Sequence, residues 1–281
     1  MKKIDCSINN YNNLSSILIC PFCSKKLNVD NNSLICMNKH TFNISKKGTA
    51  ILYKTSKLKN DKVYDNNLFT NRRFFINSGF YDEVHKKISD IIKKYNNDII
   101  LDMGSGEGTH DYKIIKELNN KSKIIGVDLS KDGIDLFNDY VNDNFLGIVA
   151  DLNNMPFKDH SIDIILNILS PSNEKEMSRL LKKDGIIIKV TPKKQYLHEL
   201  RDVLNIKEYE NEDIIFNNIS NKYVILNKDE YVNTFNLTEK DFNYLVNMTH
   251  LLNNYNDIPK INEITIALNI YVLRNKNEKR L

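Results

Sequence analysis

The sequence predicts an α/β protein, a doubly wound and mostly parallel sheet with a small metal-binding module ahead of it. Three observations carry that expectation. From about residue 82 onward, short β-branched segments alternate with amphipathic helical ones, the pattern of a parallel sheet covered by helices on both faces. One of those strands runs directly into a glycine-rich turn, the place where open α/β sheets hold ligands. Three cysteines and a histidine, Cys20, Cys23, Cys36 and His40, crowd into one short stretch near the N-terminus.

The organisation read along the chain is a module over 1–53, a basic connector over 54–81 and an α/β domain over 82–281, with an insertion at about 207–237. In the module the ligand-type residues follow C-x2-C-x12-C-x3-H. Thiolates and an imidazole suit tetrahedral Zn2+, and two tight turns joined by a short hairpin bring four such ligands together. Four protein ligands leave no place for water, so the expected zinc is structural. Cys6 lies outside the pattern and reads as a free thiol or part of a loose terminus. In the connector, the span 46–62 carries six lysines against the single acid Asp61, a bias that can follow a phosphate backbone. A solvated lysine face is the alternative.

The α/β domain opens with a helix whose apolar face is Val84, Ile88, Ile91, Ile92 and Tyr95. Strands follow at 98–103, 123–128, 145–150, 161–169 and 185–191, with helices at 131–141 and 174–183. The insertion reads as short strands, from the apolar runs 214–216 and 223–226. A helix capped by Thr238 with Asp241 in its first turn comes next, and a last strand places Ile264, Ile266, Leu268, Ile270 and Val272 on one face.

Composition excludes several classes. With 281 residues, 41% of them hydrophobic, the chain can bury one substantial core and carry an appendage. A net charge of +4 permits a nucleic-acid partner without requiring one. The cysteines form no disulfide framework, no apolar run approaches a membrane span, and Met1-Lys2-Lys3 leads into polar residues rather than a signal peptide. The expectation is a cytoplasmic protein with no membrane partner.

The turn Asp102-Met103-Gly104-Ser105-Gly106-Glu107-Gly108 does not fit the G-x-G-x-x-G dinucleotide fingerprint. It resembles the first motif of class I methyltransferases, in which the glycines face the methionine part of S-adenosylmethionine and the strand-end acid helps hold its charged end. Asp128 ends the second strand, where an acid accepts from ribose hydroxyls. Asp151 and Leu152 end the third, ahead of Met155-Pro156-Phe157, which resembles the run that meets the adenine. The fourth strand ends in Leu169-Ser170-Pro171-Ser172, not the Asp/Asn-Pro-Pro-aromatic motif of many exocyclic-amine methyltransferases, which favours a ring nitrogen as the target. His160 reads as a solvated turn residue and His110 as a lining of the cleft; His85 and His250 have no partner visible in the sequence.

The order of zinc module, basic connector, the run Asn71-Arg72-Arg73-Phe74-Phe75-Ile76-Asn77-Ser78-Gly79-Phe80-Tyr81 and the Gly-x-Gly-Glu-Gly turn resembles the RlmA family of 23S rRNA (guanine-N1)-methyltransferases, which includes macrolide-resistance enzymes. The resemblance implies a class I methyltransferase fold, S-adenosyl-L-methionine and structural Zn2+ as bound groups, and 23S rRNA as partner with a hairpin-loop guanine as target. It makes Cys20, Cys23, Cys36 and His40 the zinc ligands and Tyr81, Gly106 and Glu107 cofactor contacts. It also admits a homodimer. Relatives commonly place a histidine where this chain has Tyr196, which leaves that contact open. No residue presents itself as the acceptor of the guanine N1 proton, so no catalytic base is named. A small-molecule methyltransferase would not need the zinc module, and a non-catalytic zinc-containing RNA-binding protein would not need the three strand-end acids. Phe22, Phe42 and Tyr81 are candidate stacking platforms for a base, with core packing the more natural role of Phe42, and Arg72 with Arg73 is expected on the RNA-facing surface.

Overall fold

The computed structural model describes residues 2–53, 65–96, 98–118, 122–206, 211–249, 252, 255 and 258–276. The connector residues 54–64, the start of the insertion at 207–210 and His250 lie outside the described residues. The central sheet has seven strands: β4 (Ile99–Met103), β5 (Lys123–Asp128), β6 (Phe145–Val149), β7 (Ile162–Ile168), β8 (Leu181–Pro192), β9 (Tyr223–Asn236) and β10 (Glu263–Asn275). Their order is β6-β5-β4-β7-β8-β10-β9. β4 to β8 pair in parallel, while β10 runs antiparallel to both β8 and β9. The order reverses at β4, so the carboxyl ends of β4, β5 and β6 open onto a crevice.

Both faces of this sheet are covered, which is why its strands read as nearly continuous apolar runs. On one face Ile100, Ile124, Ile164, Ile186 and Ile188 pack under α3 (Asp82–Ile92), α4 (Thr109–Glu117), α5 (Lys131–Phe137) and α9 (Glu239–Met248). The last strand contributes Ile264, Ile266, Leu268, Ile270 and Val272 to the same side, as expected from the alternation. Thr238 accepts from the Asp241 N–H and caps α9. On the other face Leu101, Met103, Ile125, Val127, Leu146 and Ile148 share one cluster with residues of the N-terminal module, among them Tyr11, Leu14, Leu18, Leu27 and Leu34.

The module is a three-stranded antiparallel sheet of β1 (Leu27–Asp30), β2 (Ser33–Cys36) and β3 (Thr41–Asn43). The pair Asp30↔Ser33 closes the first hairpin over Asn31-Asn32. Asn31 supplies the positive φ, 51°, that such a short turn requires. Ahead of it stands α1 (Lys3–Leu14), in which Cys6 is buried rather than part of a loose terminus. The module is also sewn into the sheet edge. Val149 N–H donates to Ala50 O and Leu52 N–H to Val149 O, at 3.0 and 2.7 Å, so the chain at 50–52 extends the sheet beside β6.

Two elements differ from expectation. The run 214–216, expected as a strand, lies within α8 (Glu212–Lys222). Ile214 and Phe216 are 58% and 39% exposed there, so the β-branched run is not sheet core and the helix anchors itself through Ile219. The second run, 223–226, opens β9, a strand that extends far past it. The stretch before the α/β domain also holds α2 (Asn66–Phe75), capped by Asp65 and continued by a π-turn over Ile76–Phe80 that ends on Tyr81.

Candidate cofactor cleft and metal centre

In the module, two tight turns face each other. In the first, Cys20 N–H donates to Lys25 O and Ser24 N–H to Cys20 O, with Ser24 at φ 57°. In the second, Lys39 N–H donates to Cys36 O and Cys36 N–H to His40 O, with Lys39 at φ 62°. The ligand atoms of Cys20, Cys23, Cys36 and His40 all lie within 4.8 Å of one another. Cys23 Sγ is 3.7 Å from Cys36 Sγ, and His40 Nδ1 is 3.5 Å from Cys20 Sγ and 3.4 Å from Cys36 Sγ. Zn–S bonds of about 2.3 Å and a Zn–N bond of about 2.0 Å give tetrahedral edges of roughly 3.8 Å between sulfurs and 3.5 Å between sulfur and nitrogen. The donor set fits zinc in both chemistry and spacing, and it is a closed set.

The cleft is built from the glycine turn. Gly104 and Ser105 donate their N–H groups to Val127 O at 2.8 and 3.1 Å, which folds the turn across the end of β5. Gly104 has φ 87° and lies so close to Ser170 that a Cβ would approach its Oγ to 2.7 Å; Gly108, at φ 81°, would meet the Phe137 ring at 2.4 Å. Neither position tolerates a side chain. Asp128 Oδ2 accepts from Gly106 N–H at 3.0 Å and Oδ1 from Ser130 N–H at 2.8 Å. Each oxygen retains acceptor capacity for a ligand hydroxyl. Burial pushes the Asp128 carboxyl up, and the backbone N–H groups and the charge of Arg72 act the other way. Asp151 Oδ1 holds Asn153 N–H at 2.8 Å, which turns the chain after β6. Leu152 comes within 4.0 Å of where a Gly104 Cβ would stand. Because β6, β5 and β4 are neighbours, Asp151, Asp128 and Asp102 line up over one edge of the sheet.

Asp102 is 2% exposed, and its Oδ1 has no donor. Glu107 is equally buried, but its carboxylate is taken up within the protein, by Thr109 Oγ1 at 2.6 Å and Arg73 Nε at 3.3 Å. Tyr81 OH and Tyr196 OH are 2.7 Å apart, joining the start of α3 to the turn after β8. Burial holds both phenols above their ordinary range, Tyr81 well above it. Tyr81 is 2% exposed, which corrects the expectation of a stacking platform for a base. Phe42 is 7% exposed and packs in the module core, whereas Phe22, at 40%, stands beside the His40 ring with centroids 5.1 Å apart.

The expected pair of RNA-facing arginines separates. Arg73 is drawn inward: besides Glu107 it bonds Asp139 Oδ2 at 3.1 Å and Leu136 O at 2.6 Å, and lies 4.6 Å over the Tyr140 ring. Arg72 leans over the glycine turn with Phe69. A Gly106 Cβ would meet Phe69 at 3.3 Å and the Arg72 guanidinium at 3.4 Å. The sequence reading also missed the partner of His85, whose Nε2 is 2.7 Å from His110 Nδ1. Burial lowers the His85 pKa to about 3 and holds His110 well below its usual value, so both rings are neutral. Missed too was Asp111, in the first turn of α4 and fully buried beside Asp102. An acid three residues past the last glycine was the available signal. His160 is an exposed turn residue, as read.

A parallel sheet with a glycine turn at the end of β4 and acids at three adjacent strand ends defines a class I methyltransferase fold. The sequence model of the family described as "Methyltransferase domain" matches residues 94–248, and that described as "RlmA, N-terminal" matches residues 18–52. The chain is 38% identical over 198 residues, 67% of its own length and 69% of the relative's, to the "Putative 23S rRNA (guanine-N(1)-)-methyltransferase YxjB" of Bacillus subtilis (strain 168). It is 26% identical over 200 residues to the 23S rRNA (guanine(748)-N(1))-methyltransferase of Streptomyces fradiae, covering 69% of this chain and 70% of that one. Among solved structures it is similar to the YcgJ protein from Bacillus subtilis, at 18% identity and TM-score 0.46, over 69% of this chain and 100% of that one. The chain belongs to the RlmA family of 23S rRNA (guanine-N1)-methyltransferases.

Proposed function

We propose that this enzyme transfers a methyl group from S-adenosyl-L-methionine to N1 of a guanine in a hairpin loop of 23S rRNA, and that residues 1–53 serve as its RNA reader. The relatives' names support the substrate. One observation supports the division of labour: the module sits on the loop that follows β6, beside Asp151. Ile19 N–H donates to Pro156 O, Lys158 N–H to Ile17 O, both at 2.9 Å, and Asn154 Nδ2 to Pro21 O at 3.2 Å. The exposed ring of Phe22 follows directly on Pro21 in this contact and is the candidate on which a splayed loop base could stack.

S-adenosylmethionine supplies an electrophilic methyl group when bound. In this reading the chain contributes placement: Asp128 takes the ribose hydroxyls, Asp151 and Leu152 the adenine, and Gly104, Gly106 and the Glu107 backbone the methionine part, with Asp102 near its charged end. Tyr81 and Tyr196, joined through their hydroxyls, belong to the same set. Alignment and exclusion of water then provide most of the rate. No helix among the described residues is long and apolar enough to cross a membrane. A cytoplasmic site of action and a homodimer belong to this proposal as well.

Removing residues 1–60 to isolate a cofactor-binding core, a natural test from the sequence, conflicts with the shared core. Leu18, Leu27, Leu34 and Leu52 are each fully buried. Burial of a leucine side chain is worth about 1.5–3 kcal/mol, so their loss rivals the roughly 5–15 kcal/mol that stabilises a whole domain. The sharper test is Phe22→Ala with labelled S-adenosylmethionine and 23S rRNA. A loss of one stacked base contact weakens RNA binding by about five- to a hundredfold, with unchanged affinity for S-adenosylhomocysteine. An unaltered rate at subsaturating RNA would remove Phe22 from the reader.

A further inference from the structure

Among the described residues, most buried acids have a partner. Glu107 has Arg73 and Thr109, Asp135 has Lys131 and Thr49, Asp163 has Lys182 and Asn96, and Glu176 has Arg179. Asp102 and Asp111 are different. Asp111 is 0% exposed and neither of its carboxyl oxygens has a donor from any other group; Asp102 Oδ1 is in the same condition. The two carboxyls adjoin, each acting on the other's ionisation. Among the described residues no ion pair reaches either one. The charged groups around them make the position worse: Glu107 from the turn and Asp128 from β5 are both negative. The nearby cations are committed elsewhere, Arg73 to Glu107 and Lys113 to Asp82, while Arg72 bears on Glu107 and Asp128. The two imidazoles packed on this side, His85 and His110, are neutral.

Two adjoining, fully buried carboxyls with no cation beside them do not both ionise, because burial and mutual repulsion act together. The pair therefore holds a proton in the free protein, as one acid donating to one carboxylate. It lies where β4 enters the glycine turn, the end of the cleft to which the proposed function assigns the methionine part of the cofactor. We propose that Asp111 joins Asp102 as the seat of the cofactor's α-ammonium group, and that the proton shared by the two carboxyls is released to solvent when that cation arrives. The inference rests on the cofactor reading above, and it adds a residue and a proton to it. It gives the oxygens left without donors their missing partner: the ammonium brings three N–H donors and one positive charge to a site with one charge too many to ionise.

The sign follows. A bound cation favours the ionised pair, so cofactor affinity rises with pH while the free pair still carries its proton, and falls as acid restores it. Asp111 touches no reacting atom and acts by binding and positioning, so the test reads protons and affinity rather than turnover.

The experiment is calorimetric titration of the full-length protein with S-adenosylhomocysteine at pH 7, in two buffers of different ionisation enthalpy. The expected result is release of about one proton per ligand bound. 5′-Methylthioadenosine, which keeps the nucleoside and lacks the amino-acid end, should bind with no release from this source. Asp111→Asn keeps the shape and a donor to Asp102 but carries no proton to lose. It should bind S-adenosylhomocysteine about ten- to a hundredfold more weakly, with release close to zero, while circular dichroism verifies its fold. Binding of S-adenosylhomocysteine without proton release in the unmutated protein overturns the proposal even if that variant fails to fold. Equal release with 5′-methylthioadenosine also overturns it, by placing the proton elsewhere in the cleft. Absence of any S-adenosylhomocysteine binding would instead overturn the cofactor reading on which it rests.

Discussion

At the scale of single residues, the paired imidazoles of His85 and His110 give the protein an acid limit. His85 is 2% exposed and its pKa is lowered by burial to about 3, with the charge of Lys113 acting in the same direction. His110 is lowered by burial first and by His85 next. A histidine depressed in the folded state contributes stability that is present above its unfolded value and is lost as pH falls towards its folded one. Unfolding free energy should therefore decline from about pH 6.5 downward, measurable by urea denaturation across pH 7 to 4. His85→Gln removes one of the two rings and should make that decline shallower; an identical slope would mean that other groups set it. The placements legible in the sequence are those that depend on local spacing. Asp102, Asp128 and Asp151 are brought together because each ends one of three successive strands that become neighbours. Asp111, Arg72 and the partner of His85 were not legible, since their meaning comes from packing between α2, α3 and α4 rather than from their neighbours in the chain.

At the scale of elements, α2 is the piece that alternation of strands and helices could not place. Arg73 fastens it to the glycine turn and to the end of α5 through Glu107, Asp139 and Leu136 O, with 17% of its side chain exposed. Its removal leaves Glu107 buried with only Thr109 as donor. Loss of one partner of a buried pair costs about 3–5 kcal/mol, so Arg73→Ala should lower the melting temperature markedly, where an exposed pair such as Lys222–Glu174 would barely register. A melting temperature unchanged by Arg73→Ala would show that α2 is held by its apolar face alone. The helix α8 differs from expectation because its Ile214-Ile215-Phe216 run has strand propensity, yet it lies in a helix that buries Ile219 and leaves Ile214 and Phe216 exposed. The metal hairpin was fully legible because four ligands at fixed spacing leave little freedom. It should hold one zinc per chain, and Cys23→Ser should lose the metal and loosen the β1–β3 sheet together with the face of the central sheet beneath it, seen by metal analysis and hydrogen exchange. Full metal content in that variant would contradict the ligand set.

At the scale of the whole molecule, the two halves are one object. The module covers a face of the central sheet, extends its edge through residues 50–52, and meets the loop after β6 through Ile17, Ile19 and Pro21. The fold class and the family were readable from the sequence, whereas this shared core was not, because a ribbon of such length suggests an appendage that could be removed. In the proposed reading the RNA reader and the cleft therefore share one core, and the metal's part is to hold the module's fold. In the proposed reading this combined surface delivers a guanine N1 to the cleft. The direct measurement is methyl transfer from labelled S-adenosylmethionine to 23S rRNA, followed by reverse transcription of the product. Label in one hairpin loop and a strong stop at a single guanine are expected, because a methyl on N1 blocks the pairing edge; label on free nucleotides or small molecules with unmodified RNA, or labelled RNA that is copied without a stop, would overturn the guanine-N1 assignment.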